Sequence, residues 1–174
     1  DGNEVGQSLI TAGISNRFRQ DVEFDWNALR GATKTSVGVV SVRDRYQRSK
    51  AAETAFESAL QTSASGESDK ALSLFTEIVN TDDKDFNAWV QIGTIHYASN
   101  RPEEARKAYA KALSLKPDYF RASLNLGKLE LSQKNYEAAV SSLAEAVEID
   151  AQSADANHLL GEAYLQNKKG SLAV

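Results

Sequence analysis

Three glycines, Gly93, Gly127 and Gly161, stand 34 residues apart, and Ala105, Ala139 and Ala173 keep the same step. A fixed period of this length constrains the fold more than any other feature of the chain, because it marks a stacked array of helical hairpins. Around each glycine, apolar residues recur at i, i+3, i+4 and i+7, which places them on one face of a helix. Trp89, Ile92, Gly93 and His96 make one such face, and Ala105, Ala108, Tyr109 and Ala112 make the next. Small residues let two helix backbones approach closely, and large ones fill the space beside them. One hairpin cannot hide its own apolar face, so neighbours must stack.

Turn chemistry falls at the same period. Ser99-Asn100-Arg101-Pro102-Glu103-Glu104 puts proline in a first helical turn with acids at the positive helix end. Lys116-Pro117-Asp118 interrupts the chain between hairpins. Gln133-Lys134-Asn135 and Ser63-Ala64-Ser65-Gly66 supply equivalent turns. Helices are expected near 44–64, 68–80, 86–99, 102–115, 120–133, 136–149 and 154–167, with a further helix starting at Lys168-Lys169-Gly170.

With Phe86 as the first residue of a unit, Trp89, Ile92-Gly93, Ala105, Tyr109, Ala112 and Pro117 fall at positions 4, 7–8, 20, 24, 27 and 32. This resembles the tetratricopeptide repeat. His96 departs from it at position 11, where tyrosine is usual. The unit from Phe120 keeps Leu126-Gly127, Ala139, Leu143 and Ala146, with Ser123 at position 4, Glu130 at position 11 and Ala151 in place of proline. The unit from Ala154 keeps Leu160-Gly161, Tyr164 and Ala173, and a weaker unit from Ala52 keeps Ala59, Ala71, Phe75 and Ile78. The resemblance implies an all-α, right-handed superhelix of stacked antiparallel hairpins over 44–174, with repeats at 52–85, 86–119, 120–153 and an incomplete 154–174. Residues 1–43 are expected to form a mostly irregular leading segment, preferred as a cap over the first hairpin.

In that leading segment, Asp25–Gly31 reads as one short helix, and 8–12 and 37–42 as β-prone stretches. Phe18, Phe24 and Trp26 offer apolar anchors, and an alternative is that the segment lies in a groove of its own or a second copy. Residues 1–51 carry a net charge of +2 and residues 52–85 one of −6, so the leading segment and the first hairpin are also candidates to attract one another.

Composition narrows the function. The net charge is −4, which disfavours a nucleic-acid partner, since that needs a concentrated basic face. Cysteine is absent, and no apolar run approaches the roughly 20 residues that cross a bilayer. The two histidines, His96 and His158, lack the neighbours of a nucleophilic or metal site. His96 reads as a core or core-edge side chain. His158 and Glu162, four apart, are two ligands at most. No enzyme activity, cofactor or metal is expected.

The resemblance implies a concave face lined by the first helix of each unit. It carries over to Asn87, Val90, Gln91, Thr94 and Tyr97; to Arg121, Leu124, Asn125, Lys128 and Leu131; to Asp155, His158, Leu159, Glu162 and Leu165; and to Glu53, Phe56, Glu57 and Leu60. Such a surface suits an extended or helical peptide held by amide side chains. A subgroup of the family grips the terminal carboxylate of chaperone tails. Asn125 matches its middle position, but Val90, Thr94, Asp155 and Leu159 replace its other polar and basic residues, which argues against that ligand. Arg121 and Lys128 share one helix face and remain candidates for an acidic group. The expected function is a non-catalytic scaffold for a peptide or protein segment of unknown identity. The alternative is self-assembly through the leading segment or through the apolar C-terminal edge, where Leu160, Tyr164 and Leu172 make a poor polar cap. The start at Asp1 and the lack of cysteine lean towards an exported or periplasmic protein, with a cytoplasmic home as the alternative, and a natural chain continuing past Val174 is expected.

Overall fold

The computed structural model describes residues 46–172, with side chains through Lys168. The expectations for 8–12, Asp25–Gly31 and 37–42 lie outside the described residues. All described residues belong to one compact unit. Among the described residues seven helices follow one another: α1 (Lys50–Ala64), α2 (Ser68–Thr81), α3 (Phe86–Ala98), α4 (Pro102–Leu115), α5 (Phe120–Ser132), α6 (Tyr136–Ile149) and α7 (Ala154–Leu172). Among the described residues there is no strand. The helices pair as α1/α2, α3/α4 and α5/α6, and each pair packs on the next, so the chain is an all-α solenoid.

Six of the seven helices agree with the expected spans to within a residue or two at their starts, and two corrections stand at the ends. The first helix begins at Lys50 rather than near 44, because the Ser49 side chain caps it by accepting the Ala52 amide at 3.3 Å. The residues before it are held extended by Tyr46 and Arg48, whose side chains reach to Asp82 and Asp85. The last helix runs unbroken to Leu172, through the Lys168-Lys169-Gly170 stretch expected to start a new one. Elsewhere the turn is made by a left-handed residue, Asn100 (φ 55°) or Lys134 (φ 60°). There the following amide folds back onto the helix, Arg101 to the His96 carbonyl and Asn135 to the Glu130 carbonyl, both at 2.9 Å. Lys168, one period beyond Lys134, stays helical.

The glycines set the spacing within hairpins. A Cβ on Gly93 would lie 2.6 Å from the Tyr109 ring, and one on Gly127 would lie 2.5 Å from Leu143 Cγ. So α3/α4 and α5/α6 approach where the first helix has no side chain. Tyr109 and Leu143 are fully buried there, each contributing about 1.5–3 kcal/mol of burial. Ala105, Ala112, Ala139 and Ala146 are fully closed off beside them.

Between repeats the packing is done by positions 3, 5 and 10 of the first helix. Leu124 of α5 packs with Ala156 and Ala163 of α7. Val90 of α3 packs with Ala122 and Leu129 of α5. Phe56 of α1 packs with Ala88 and Ile95 of α3, and its ring meets Phe75 edge-on at 5.4 Å.

Candidate functional site

The first helices of successive repeats, α1, α3, α5 and α7, lie side by side, with α3 against α5 and α5 against α7. Their residues at positions 2, 6, 9 and 12 fall at helical spacing on one face. Thr94, Tyr97, Arg121, Glu162 and His158 are exposed, and Asn87, Gln91, Asn125 and Lys128 are half-buried. Three expected lining residues, Leu124, Val90 and Phe56, are corrected. Leu124 is buried at 8% exposure in the core between α5 and α7, and Val90 and Phe56, at the same repeat position, are buried likewise. That position faces the next first helix rather than open space. The same rule accounts for His158, which holds position 5 on α7 and is exposed because no further described helix packs against it.

The structure brings Thr94 and Asn125 together. The Asn125 amide nitrogen donates to Thr94 Oγ1 at 3.4 Å, and the Tyr109 hydroxyl donates to the same oxygen at 3.3 Å. Thr94 in turn donates to the Val90 carbonyl at 2.9 Å. Burial raises the Tyr109 pKa, so its hydroxyl stays protonated and keeps its donor role; the bond to Thr94 opposes the shift. Arg121 and Lys128 have no carboxylate within ion-pair distance among the described residues, and they lie seven apart, about 10 Å along the helix. A hollow of about 360 Å³ sits at the ends of α3 and α5, lined by Tyr97, Asn100, Pro102, Ser132 and Gln133.

Two polar clusters escaped the sequence reading. Glu130, only 4% exposed, holds the position where the repeat usually has tyrosine. Arg106 of the preceding hairpin donates to it through Nε at 2.6 Å and Nη2 at 3.1 Å, and Asn135 Nδ2 donates at 2.8 Å. Burial alone would raise the Glu130 pKa; the bonds from Arg106 and Asn135 outweigh it and hold the group below the usual carboxylate range. The available signal was an acid on a core face, which demands a cation, and Arg106 lies 24 residues upstream. The second cluster is Arg48, which donates two bonds to Asp85 at 2.5 and 2.7 Å and one to Glu53 at 3.1 Å. Its guanidinium lies 3.6 Å from the centre of the Phe56 ring. Asp85 also caps α3 by accepting the Ala88 amide at 3.0 Å. Beside Arg48, the Tyr46 hydroxyl donates to Asp82 at 2.6 Å, which with burial pushes its pKa up to about 12.

A second hollow of about 560 Å³ lies between α1 and α2, lined in part by Ala52, Ala55, Ser58, Leu74, Ile78 and Thr81. Positions 1, 4 and 7 carry Phe86, Trp89 and Ile92 in the next repeat but only alanine and serine here, so the space stays open. His96 is half-buried, as a core-edge residue, and its Nδ1 has no hydrogen-bond partner. Burial, and secondarily the Arg101 charge, lower its pKa, and Glu104 opposes them. Among the described residues no group of three or more His, Asp or Glu side chains is placed to hold a metal ion. No described helix is long and apolar enough to cross a membrane.

The tetratricopeptide-repeat model matches residues 63–119 and 90–154. The chain belongs to the tetratricopeptide-repeat family. It is 36% identical over 84 residues to a peroxisomal targeting signal receptor of Kluyveromyces lactis, which covers 48% of this chain and 15% of that protein. The chain thus spans a small part of the length of the curated relatives it matches. The tetratricopeptide domain of Sgt2 from Aspergillus fumigatus superposes with a TM-score of 0.66 at 17% identity, over 71% of this chain and 83% of that one. The type III secretion chaperone SycD of Yersinia enterocolitica, in complex with a peptide of the translocator YopD, superposes with a TM-score of 0.63 at 18% identity, over 69% and 97%. Tetratricopeptide-repeat proteins bind peptide or protein partners, and the fold is generally a non-catalytic interaction module.

Proposed function

We propose that this chain is a non-catalytic scaffold that binds an extended peptide or protein segment along the face built from α1, α3, α5 and α7. The observation that carries this reading is the row of polar side chains at repeat positions 2, 6 and 9, in which Arg121 and Lys128 have no ion-pair partner among the described residues. Amide groups at Asn87, Gln91 and Asn125 bond to a peptide backbone, while the buried residues beneath them keep the face rigid. The SycD structure, with its translocator peptide, is a similar fold holding a peptide. An affinity capture with wild type and with Asn125→Ala/Arg121→Glu tests the reading, followed by amide-shift mapping of any captured segment. Loss of capture in the variant, with shifts confined to α1, α3, α5 and α7, is expected. Capture unchanged by the variant, or shifts elsewhere, refutes it.

A second reading, self-assembly, is favoured by one observation: Tyr164 and Leu165 on α7 are 55% and 63% exposed. Sedimentation at two concentrations separates the two, because assembly through this edge gives a mass that rises with concentration and falls with Leu165→Lys.

A further inference from the structure

The binding face is banded by charge at a fixed register. Position 2 reads Glu53, Asn87, Arg121, Asp155 along the four repeats, and position 9 reads Leu60, Thr94, Lys128, Glu162. So α5 presents two cations seven residues apart, and α7 presents two carboxylates at the same two positions one period later. Neither α5 cation is within ion-pair distance of the α7 acids, although α5 and α7 pack together. α3 is uncharged at both positions, and α1 is acidic, with Glu57 exposed and Glu53 also paired to Arg48. Opposite charges that stand in adjacent rows without closing on each other leave a patterned field over the face.

We propose that the segment bound here carries a matching order of charge: an acidic residue over Arg121 and Lys128, a basic residue over Asp155 and Glu162, and a second basic residue over Glu53 and Glu57. This rests on the groove reading above and specifies its ligand. The spacing follows from geometry. Packed helices lie roughly 8–10 Å apart, and an extended chain advances about 3.3–3.6 Å per residue. Each band therefore takes about three residues. The basic residue for α7 falls about three positions from the acidic one, and the basic residue for α1 about six positions away on the other side. The stretch between the acid and the α1 end crosses Asn87 and Thr94 and carries no charge. Complementary bands favour this order, and the reversed order sets like charge against like on three helices at once.

The test is selection of a random dodecapeptide display library on the full chain at near-physiological salt. The expected result is enrichment of Asp or Glu at one position, with Lys or Arg about three residues to one side and about six to the other. Arg121→Glu/Lys128→Glu exchanges the central preference for Lys or Arg, and Asp155→Lys/Glu162→Lys reverses the preference three residues away while leaving the centre acidic. A synthetic peptide of the selected order is expected to bind wild type at least tenfold tighter than the isomer with its charges exchanged. Peptides that shift α1, α3, α5 and α7 amides but show no such order, or keep it in the first variant, overturn the charge assignment and leave the groove reading intact. Selected peptides that leave those amides unperturbed overturn both.

Discussion

Alanine at Gly93, Gly127 and Gly161 is the same substitution at the same repeat position, yet the structure sets different outcomes. In a helix interior the change from glycine to alanine is worth about 0.8–1 kcal/mol in favour of the folded state. Nothing lies within 4 Å of a Cβ on Gly161, so the whole gain is realised there. Gly161→Ala is expected to raise the melting temperature by roughly 2–4 °C. On Gly93 the new carbon would meet three Tyr109 ring atoms at 2.6, 2.7 and 3.0 Å. Carbon contacts are comfortable only from about 3.5 Å, so the ring must retreat by close to an ångström. It is 1% exposed and its hydroxyl is tied to Thr94, which leaves it little room. Overpacking of this kind costs about 1–3 kcal/mol, and the upper end less the helical gain leaves a net loss of about 2 kcal/mol. Gly127→Ala is expected to cost at least as much, because the clash falls at 2.5 Å on Leu143 Cγ, next to the side-chain root, where a rotamer change gives little relief. Urea unfolding followed by far-ultraviolet circular dichroism measures all three. A Gly161 variant destabilised like the other two, or Gly93 and Gly127 variants as stable as wild type, refutes the packing argument.

Three other outcomes follow from the polar groups of the core. Arg106→Ala is expected to cost about 3 kcal/mol because it strands the buried Glu130 carboxylate, whereas Glu130→Ala is expected to cost closer to 1 kcal/mol because Arg106 keeps Glu103 and can turn to solvent; equal losses in a double-mutant cycle contradict this. His96 has a folded pKa lowered by burial, so the unfolded chain takes up a proton first as pH falls below about 6.5. Its stabilising contribution is complete above that pH and is lost as pH falls towards the folded value. Denaturation at pH 7.5 and 5.5 is expected to show a larger loss for wild type than for His96→Phe, and identical losses contradict the assignment. Ser123 is fully buried with an unbonded hydroxyl, so Ser123→Ala is expected to be neutral or stabilising by up to about 1 kcal/mol in the same assay, and a loss above 1 kcal/mol means that the hydroxyl has a partner.

Much of the fold was legible from the chain because its causes are local and periodic. Gly93 and Gly127 fix where two helices touch, Pro102 and Asn100 fix where one ends and the next begins, and the 34-residue step forces stacking. Those residues determined the helix order, the pairing and the family. Less of the candidate site was readable. Thr94, Asn125, Arg121 and Lys128 could be assigned to one face from their register, but nothing in that register says whether position 5 opens to solvent. Leu124 is shut between α5 and α7 while His158, at the same position, is exposed, since burial there depends on the neighbouring repeat. The ion pairs were less legible still. Arg106 and Glu130 are 24 residues apart and Arg48 and Asp85 are 37 apart, separations unrelated to the helical period, and they meet only because separate helices pack together. The 34-residue period therefore determined which surfaces must be hidden, whereas packing of whole helices decided which charges are neutralised and which are left facing outward, because a charge finds its partner through space and not along the chain.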